Sequence, residues 1–372
     1  VLERKFMAEY PEKLSVVDMR EATKFLLGRH DFASFCANPK MKKSTVRFLR
    51  SIEIRREGNE LHLLFTGNGF LHNMVRILVG TLLEVGMGKR SADSIPALLE
   101  AKACGSVITS EMELFLANRP CPVIGITGSD GKTTSTTLCG KFLASSSRVF
   151  VGGNIGTPLL DRLDEMQESD SLVLELSSFQ LMRVSRSPFA VAITNLSQNH
   201  LDWHKDFEEY ISAKKNAIGK DTKRVVLNAD CAITRAIAEE IATERPDIEL
   251  FVFSSKKNSY AETIGALTGA KAAFIKDGHI VLSNGEREEN ILTCSEVRLP
   301  GTHNLENYMT AICLCYGFAK SEIFASVARE FGGVEHRIEL VREVGGARYY
   351  NDSIASSPTR TIAGLKAFKD KV

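Results

Sequence analysis

Between Gly128 and Thr134 the chain reads Gly-Ser-Asp-Gly-Lys-Thr-Thr, after an apolar run and ahead of a helical pattern. That order of residues suits a phosphate. A strand that turns into a helix through glycines points backbone N–H groups into one concavity at the positive end of the helix. Gly128 and Gly131 let the backbone approach a phosphate with no Cβ in the way. Ser129 and Asp130 fill the turn between them. Lys132 adds a point charge in reach of β- and γ-phosphates, and the Thr133 hydroxyl can ligate Mg2+, with Thr134 beside it. The spacing is Gly-x-x-Gly-Lys-Thr-Thr; the commoner form places a glycine at position 126, where this chain has Ile126. An ordinary strand–helix turn is the plainer reading, and the lysine, two threonines and apolar strand together argue against it.

A nucleotide held there needs metal ligands and positioning groups from the ends of neighbouring strands. The run "SLVLEL" carries Glu175 at its end, followed by Ser177, Ser178 and Gln180; "FAVAITN" ends near Asn195, followed by His200. A carboxylate, an imidazole and a hydroxyl from separate strand ends would complete magnesium sites, although a strand-end glutamate alone is usually just solvated. His200 and His204 have the four-residue spacing of a metal pair on one helix face. Asp202 and Trp203 lie between them and no third ligand is near, so no dedicated zinc site is expected.

The elements that must carry these residues follow from the apolar rhythm. From about Cys104 strands alternate with helices: "PVIGIT" then "KTTSTTLCGKFLAS", "RVFVGG", "SLVLEL", "FAVAITN" then "DFEEYISAKKNAIG", "RVVLNA" then "CAITRAIAEEIATE", and "IELFVFS". Near-continuous apolar strands separated by helices predict an α/β fold with a mostly parallel sheet covered on both faces. The hairpin-like "KAAFIKDGHIVLSNGEREENIL" follows, then two helices, then a strand, a Gly345-Gly346 turn and a strand, and a last helix in "SPTRTIAGLKAF". Residues 1–102 have a different rhythm, of α+β type. "VVDMREATKFLLG" reads as a helix with Asp18 as its cap and Gly28 as its stop. "TVRFLRSIEIRREGNELHLLFTG" reads as a hairpin around Gly58-Asn59. "FLHNMVRILVGTLLEVG" is a helix with apolar residues at helical spacing, and "SADSIPALLEAK" a short closing one.

Length and composition fit this division. The 372 residues suit two or three domains, and 44% hydrophobic with 25% charged residues is ordinary for a soluble globular chain. A net charge of +1 argues neither for nor against a nucleic-acid partner. No stretch approaches the ~18 consecutive apolar residues of a membrane span. The eight cysteines form no CxxC pair, and Cys313 and Cys315 read as buried thiols, so a reducing cytoplasm is the expectation. No signal peptide is visible, and a start at Val1 rather than Met reads as a fragment.

The residues from about Ala103 onward resemble the Mur ligase family, and within it the branch that adds D-glutamate to a peptidoglycan precursor. The resemblance rests on "SEMELF", "ITGSDGKTT", "GGNIGTPLL", "LELSSFQL", "ITNLSQNHLDWH", "YISAKK", "GTHNLENYMTA", "GVEHRIELV" and "YNDSIASSP", which occur in the family's order. It implies a central P-loop ATPase domain over 103–334 and the start of a C-terminal domain over 335–372. It implies ATP and Mg2+ as cofactors, with UDP-N-acetylmuramoyl-L-alanine and D-glutamate as substrates. Lys132 would bind the ATP phosphates and Thr133 the magnesium. Asn154 would contact the muramoyl substrate, with Ser177 and Gln180 on the substrate side. Glu175 and His200 would hold magnesium. Lys214, in the Tyr-x-x-Ala-Lys frame and next to Lys215, would be a carbamylated lysine completing a second magnesium site. Asn304, His336 and Arg337 would position the nucleotide, and Asp352 would meet the ribose. At Ile354 many relatives carry a phosphate-contacting lysine, a contact an isoleucine cannot make.

Residues 1–102 resemble instead the C-terminal half of the tRNA pseudouridine synthases, through "FLLGRHDFASFC", "TVRFLRSIEI", "FTGNGFLHNMVRILVGTLLEVGMGKR" and "IPALLEAK". There Arg76 would lie near a catalytic cleft, while Phe70, Leu71 and Met74 read as core packing. Lys40, Lys42, Lys43, Arg47 and Arg50 suit either RNA phosphates, giving a residual tRNA contact, or a solvated basic face. The family's catalytic aspartate lies in an Arg-Thr-Asp motif that this chain lacks, so no pseudouridine formation is expected. The ligase part reads as incomplete too, with a missing UDP-binding domain and a C-terminal domain that stops after one helix. The expectation is a join of two fragments within "LLEAKACG", with Mg2+–ATP binding retained and full ligation weak or absent.

Overall fold

The computed structural model describes residues 13–36, 44–101, 104, 109–156, 158–182, 184–198, 204–353, 355, 361–362, 364–365 and 368. His200, Lys40, Lys42, Lys43 and Ile354, and most of the last expected helix, lie outside the described residues. The chain divides into two compact units, Val1–Thr109 and Ser110–Val372.

The first unit packs helices α1 (Val16–Lys24), α2 (Met74–Gly86) and α3 (Ile95–Glu100) on a three-stranded antiparallel sheet of β1 (Gly28–Asp31), β2 (Val46–Glu57) and β3 (Glu60–Gly67). The expected hairpin is present: Glu57 pairs with Glu60, and Gly58 turns with φ +61°. Met19, Leu26, Phe32, Phe35, Leu49, Met74, Leu78, Leu82 and Ile95 form its core. Gly86 lets α1 pack closely on α2: a Cβ there would come within 2.8 Å of Met19 Sδ and push that side chain aside. Some local expectations fail here. Ser15, not Asp18, caps α1 by accepting from the Asp18 N–H. The helix ends at Lys24, and Gly28 opens β1 with φ +94° instead of stopping the helix. The α2 helix begins only at Met74, because Asn73 takes a left-handed conformation (φ 54°). Phe70 therefore precedes the helix and is exposed, whereas Leu71 and Met74 are buried as expected. Arg76 lies exposed on α2.

The second unit opens with α4 (Glu111–Asn118) and is built on a nine-stranded sheet among the described residues. Its strands are β4 (Val123–Thr127), β5 (Val149–Gly153), β6 (Ser171–Glu175), β7 (Ala190–Ile193), β8 (Arg224–Asn228), β9 (Glu249–Ser254), β10 (Lys271–Lys276), β11 (His279–Ser283) and β12 (Glu288–Thr293). Their spatial order is β12-β11-β10-β9-β8-β7-β4-β6-β5. The strands β4 to β10 run parallel, and β11 and β12 add antiparallel at one edge. The helices are α5 (Lys132–Leu143), α6 (Ser178–Leu181), α7 (Phe207–Lys215), α8 (Ala232–Glu244), α9 (Tyr260–Ile264), α10 (Thr302–Cys315) and α11 (Ser321–Glu330).

Alternate residues of the apolar strands feed two cores, one per face. Val123, Leu172 and Leu174 join Phe115, Tyr210 and Ile237 of α4, α7 and α8. Ile124, Ile126 and Val173 join Leu138, Phe142, Tyr308, Ile312 and Phe324 of α5, α10 and α11. Strand β4 sits between β6 and β7, and the chain leaves β4 toward β5 but leaves β7 toward β8. Loops that part in opposite directions open a crevice at the carboxyl ends of the strands. A separate hairpin, β13 (Glu339–Val344) with β14 (Ala347–Asn351), turns through Gly345 and Gly346, both at positive φ as a two-residue hairpin turn requires.

Candidate functional site

The turn from Gly128 to Gly131 lies in that crevice. Gly128 (φ +138°) packs so closely that a Cβ would collide with Thr194 Oγ1, and Gly131 (φ +80°) opens α5 where a Cβ would collide with Asn307 Oδ1. The loop after β7 fixes the turn from the other side. Ser129 N donates to Asn195 O (2.9 Å), Asp130 N to Asn195 Oδ1 (3.0 Å), and Thr194 Oγ1 to Asp130 O (2.6 Å). Ser129 Oγ accepts from Ser197 N (2.9 Å) and lies 3.0 Å from the phenol oxygen of Tyr210, which is buried. Lys132 bends over the turn, its Nζ donating to Ser129 O at 2.9 Å.

At the second residue of α5 the site meets the end of β6. Thr133 Oγ1 donates to Glu175 Oε2 at 2.7 Å, Asn154 Nδ2 donates to Glu175 Oε1 at 3.0 Å, and Arg337 Nη2 donates to Thr133 Oγ1 at 2.8 Å. Glu175 is 3% exposed, so its carboxylate is screened from water and held by donors on both oxygens. Lys214 comes up from α7. It is 2% exposed, its Nζ donates to Thr127 Oγ1 at 3.1 Å and faces the Tyr210 ring at 4.8 Å. Burial, and then the nearby Lys132 charge, hold its ammonium well below the ordinary lysine range, against the opposing pull of Glu175 and Asp130.

The structure thus brings Lys132, Thr133, Glu175, Asn154, Lys214 and Arg337 together. Ser177 and Gln180 serve a nearer purpose: they form a reciprocal cap that starts α6, with Ser177 N donating to Gln180 Oε1 at 2.9 Å. His204 is buried, 2.9 Å from Ser178 Oγ, stacked on Phe179 and 3.6 Å from Glu209 Oε2. Thr134 is buried at the start of α5. Asn304 is buried at the start of α10, donating to Pro300 O (2.7 Å) and accepting from Asn307 (3.1 Å). His336 is exposed in a left-handed conformation (φ 65°) and accepts from Asn351 Nδ2 at 2.7 Å, while Asp352 accepts from Ile338 N at 3.3 Å. The sequence reading missed Asn307 and Tyr210. The first is signalled only by lying three residues from Asn304 on a helix, the second by opening the Tyr-x-x-Ala-Lys frame. It also missed His303, whose pKa burial lowers while Asp352 and Asp130 pull the other way.

The donor set suits a hard cation. A hydroxyl and a buried carboxylate beside a phosphate-shaped turn are what Mg2+ takes when it keeps several waters and shares phosphate oxygens. Among the described residues no three His, Cys, Asp or Glu side chains gather into a dedicated cage. Among them, too, no helix is long and apolar enough to cross a membrane.

Comparison with known proteins matches two stretches to two families. Residues 126–315 match the Mur ligase middle domain, and residues 22–113 match tRNA pseudouridine synthase. The chain is 46% identical over 281 residues to the UDP-N-acetylmuramoylalanine--D-glutamate ligase of Acetivibrio thermocellus, covering 75% of this chain and 57% of that one. It is 45% identical over 281 residues to the enzyme of the same name from Ruminiclostridium cellulolyticum, with the same coverage. The chain thus spans little more than half the length of the relatives it matches. Among solved structures, MurF from Acinetobacter baumannii shares the fold at a TM-score of 0.52 and 16% identity, covering 76% of this chain and 67% of that one. With the phosphate turn, the parallel sheet and the matched middle domain in agreement, the chain belongs to the Mur ligase family.

Proposed function

We propose that residues 103–334 form the central ATP-binding domain, and 335–372 the start of a C-terminal domain, of an ATP-dependent carboxylate–amine ligase. The reaction is addition of D-glutamate to UDP-N-acetylmuramoyl-L-alanine, as the names of the relatives suggest. The observation that carries this reading is the meeting of Thr133 and Glu175 at 2.7 Å beside the Gly128–Gly131 turn and Lys132.

In this scheme the Lys132 ammonium and the backbone N–H groups of the turn that Asn195 does not engage receive the ATP phosphates, which needs Lys132 to swing off Ser129 O. The substrate carboxylate attacks the γ-phosphorus, the bond to ADP breaks, and an acyl phosphate results. The D-glutamate amine then attacks the acyl carbon, inorganic phosphate leaves, and the amide remains. Positioning and charge neutralisation do most of the work in such transfers. Thr133, Glu175 and His200 would hold Mg2+, together with Lys214 once it is carbamylated; the ion would neutralise charge on the transferring phosphoryl group. The lowered Lys214 pKa favours the neutral amine, the form that adds to CO2. Asn154 would contact the muramoyl substrate, with Ser177 and Gln180 on the substrate side; Asn304, His336 and Arg337 would position the nucleotide, and Asp352 would meet the ribose.

The test is nucleotide-dependent stability. A ligand that binds only the folded state at a hundred times its Kd adds about 2.7 kcal/mol. Mg2+–ATP is expected to raise the melting temperature of the wild-type chain, and Lys132→Ala to remove most of that rise. Equal affinity in the two proteins would overturn the assignment of the turn.

A further inference from the structure

The contact between Arg337 and Thr133 joins residues 204 positions apart and is not explained by the scheme above. Arg337 precedes β13, at the start of the C-terminal segment, yet its Nη2 lies 2.8 Å from Thr133 Oγ1. That hydroxyl gives its proton to Glu175 Oε2, so what it offers Arg337 is the lone-pair side that a metal ion would use.

The backbone around Arg337 is unusual. His336 and Ile338, on either side of it, both have left-handed φ, 65° and 46°. A β-branched residue in that region is a genuine outlier, and such conformations persist only where surrounding contacts impose them. The contacts here are Arg337 on Thr133, Arg337 N on Val334 O (3.1 Å), Asn351 on His336, and Ile338 N on Asp352 Oδ1 (3.3 Å). A strained three-residue segment is thus held with its guanidinium on the Thr133 hydroxyl.

Resting on the metal assignment made above, we propose that Arg337 is a resident stand-in for the metal ion, latching the C-terminal segment onto the phosphate turn until a divalent cation displaces it. The guanidinium places a positive charge on the hydroxyl that bonds the buried Glu175 carboxylate. A divalent cation on the Thr133 oxygen would sit against a second positive charge in a site that already holds Lys132. The arginine must then leave Thr133, free to follow the phosphates, and the strain at His336 and Ile338 favours its departure. Binding of the ion and release of the segment become one event.

The experiment uses the full chain and Mn2+ alone, without nucleotide, with bound and free ion separated by electron paramagnetic resonance. Removing a positive charge a few ångströms from a divalent ion in a partly buried site is expected to strengthen binding by about tenfold or more. Arg337→Gln should therefore bind Mn2+ more tightly than wild type, and Arg337→Lys, which keeps the charge, should stay close to wild type. Unchanged or weaker binding in Arg337→Gln overturns the proposal, as does a failure of both proteins to bind Mn2+. If the variant does not fold, hydrogen exchange on wild type decides: saturating Mn2+ should speed exchange of the Arg337 amide, and no change overturns the latch. Failure here is separable from failure of the ligase reading, which is judged by ATP affinity and Lys132→Ala.

Discussion

Replacing Gly131 by alanine probes how the phosphate turn is assembled. The residue stands at φ +80°, where a side chain costs about 1–2 kcal/mol. The new Cβ would also collide with Asn307 Oδ1. The Asn307 amide would have to rotate away, giving up its 3.1 Å bond to Asn304 Oδ1, a further ~1 kcal/mol. Gly131→Ala is thus expected to destabilise by about 2–3 kcal/mol, and Asn307→Ala alone by about 1 kcal/mol. In the double variant nothing remains to collide with, so Gly131→Ala should cost only its backbone share. The cycle should leave a coupling of about 1 kcal/mol, with the double variant more stable than the sum of the singles. Urea unfolding followed by fluorescence is the assay, because the single tryptophan, Trp203, lies in the second unit. Additivity within about 0.3 kcal/mol would refute the claim that α10 buttresses the turn through Asn307.

Two further substitutions test the surroundings. Arg224, on β8, donates to the carbonyls of Cys313 (3.3 Å), Leu314 (3.0 Å) and Tyr316 (2.7 Å) at the end of α10, and pairs with Glu249. Arg224→Met leaves those carbonyls buried and unanswered and is expected to cost about 3 kcal/mol in urea unfolding, while an effect below about 0.5 kcal/mol would mean water replaces it. Lys214 has a native pKa lowered chiefly by burial, so the unfolded chain binds the proton more readily. Stability from this group is present above the ordinary lysine value of about 10.4 and is lost as pH falls from there through the lowered native value. Lys214→Met should remove that loss: the variant should gain on wild type as pH is lowered from 10 to 7, and parallel stability curves would contradict the burial argument.

The sheet was legible because its strands are short apolar runs with helices between them, a pattern local to each segment. Gly128, Gly131, Lys132 and Thr133 were legible for the same reason, since strand, turn and helix are contiguous. Asn307 was not, and Arg337 was named only through the family resemblance, without its bond to Thr133, because these contacts span more than 170 residues and depend on where α10 and the segment before β13 come to rest. The Ser177–Gln180 pair fits a capping pattern as well as a substrate contact, and a local hydrogen bond needs no ligand to form. At α1 the rule linking an acidic residue to a helix start was sound but applied to the wrong position: Asp18 stands in the first turn and Ser15 one step outside it. Phe70 was misplaced by extending helical spacing past Asn73, whose left-handed backbone breaks the period.

The distance along the chain between the phosphate turn and α10 also sets an order of events at the ribosome. Ser135 and Asn307 are 172 residues apart, so at ~5–20 residues per second the turn emerges about 10 to 30 s before its buttress. The neighbours of β4 arrive sooner, since β6 and β7 are complete by Ile193, and the centre of the sheet can pair while synthesis continues. One face is then left bare, with Ile124, Ile126, Leu138 and Phe142 awaiting Tyr308 and Ile312. During that interval the nascent chain presents a large apolar surface beside an unfinished phosphate turn. Chaperone capture, and any aggregation of shortened products ending before Thr302, should centre on that face.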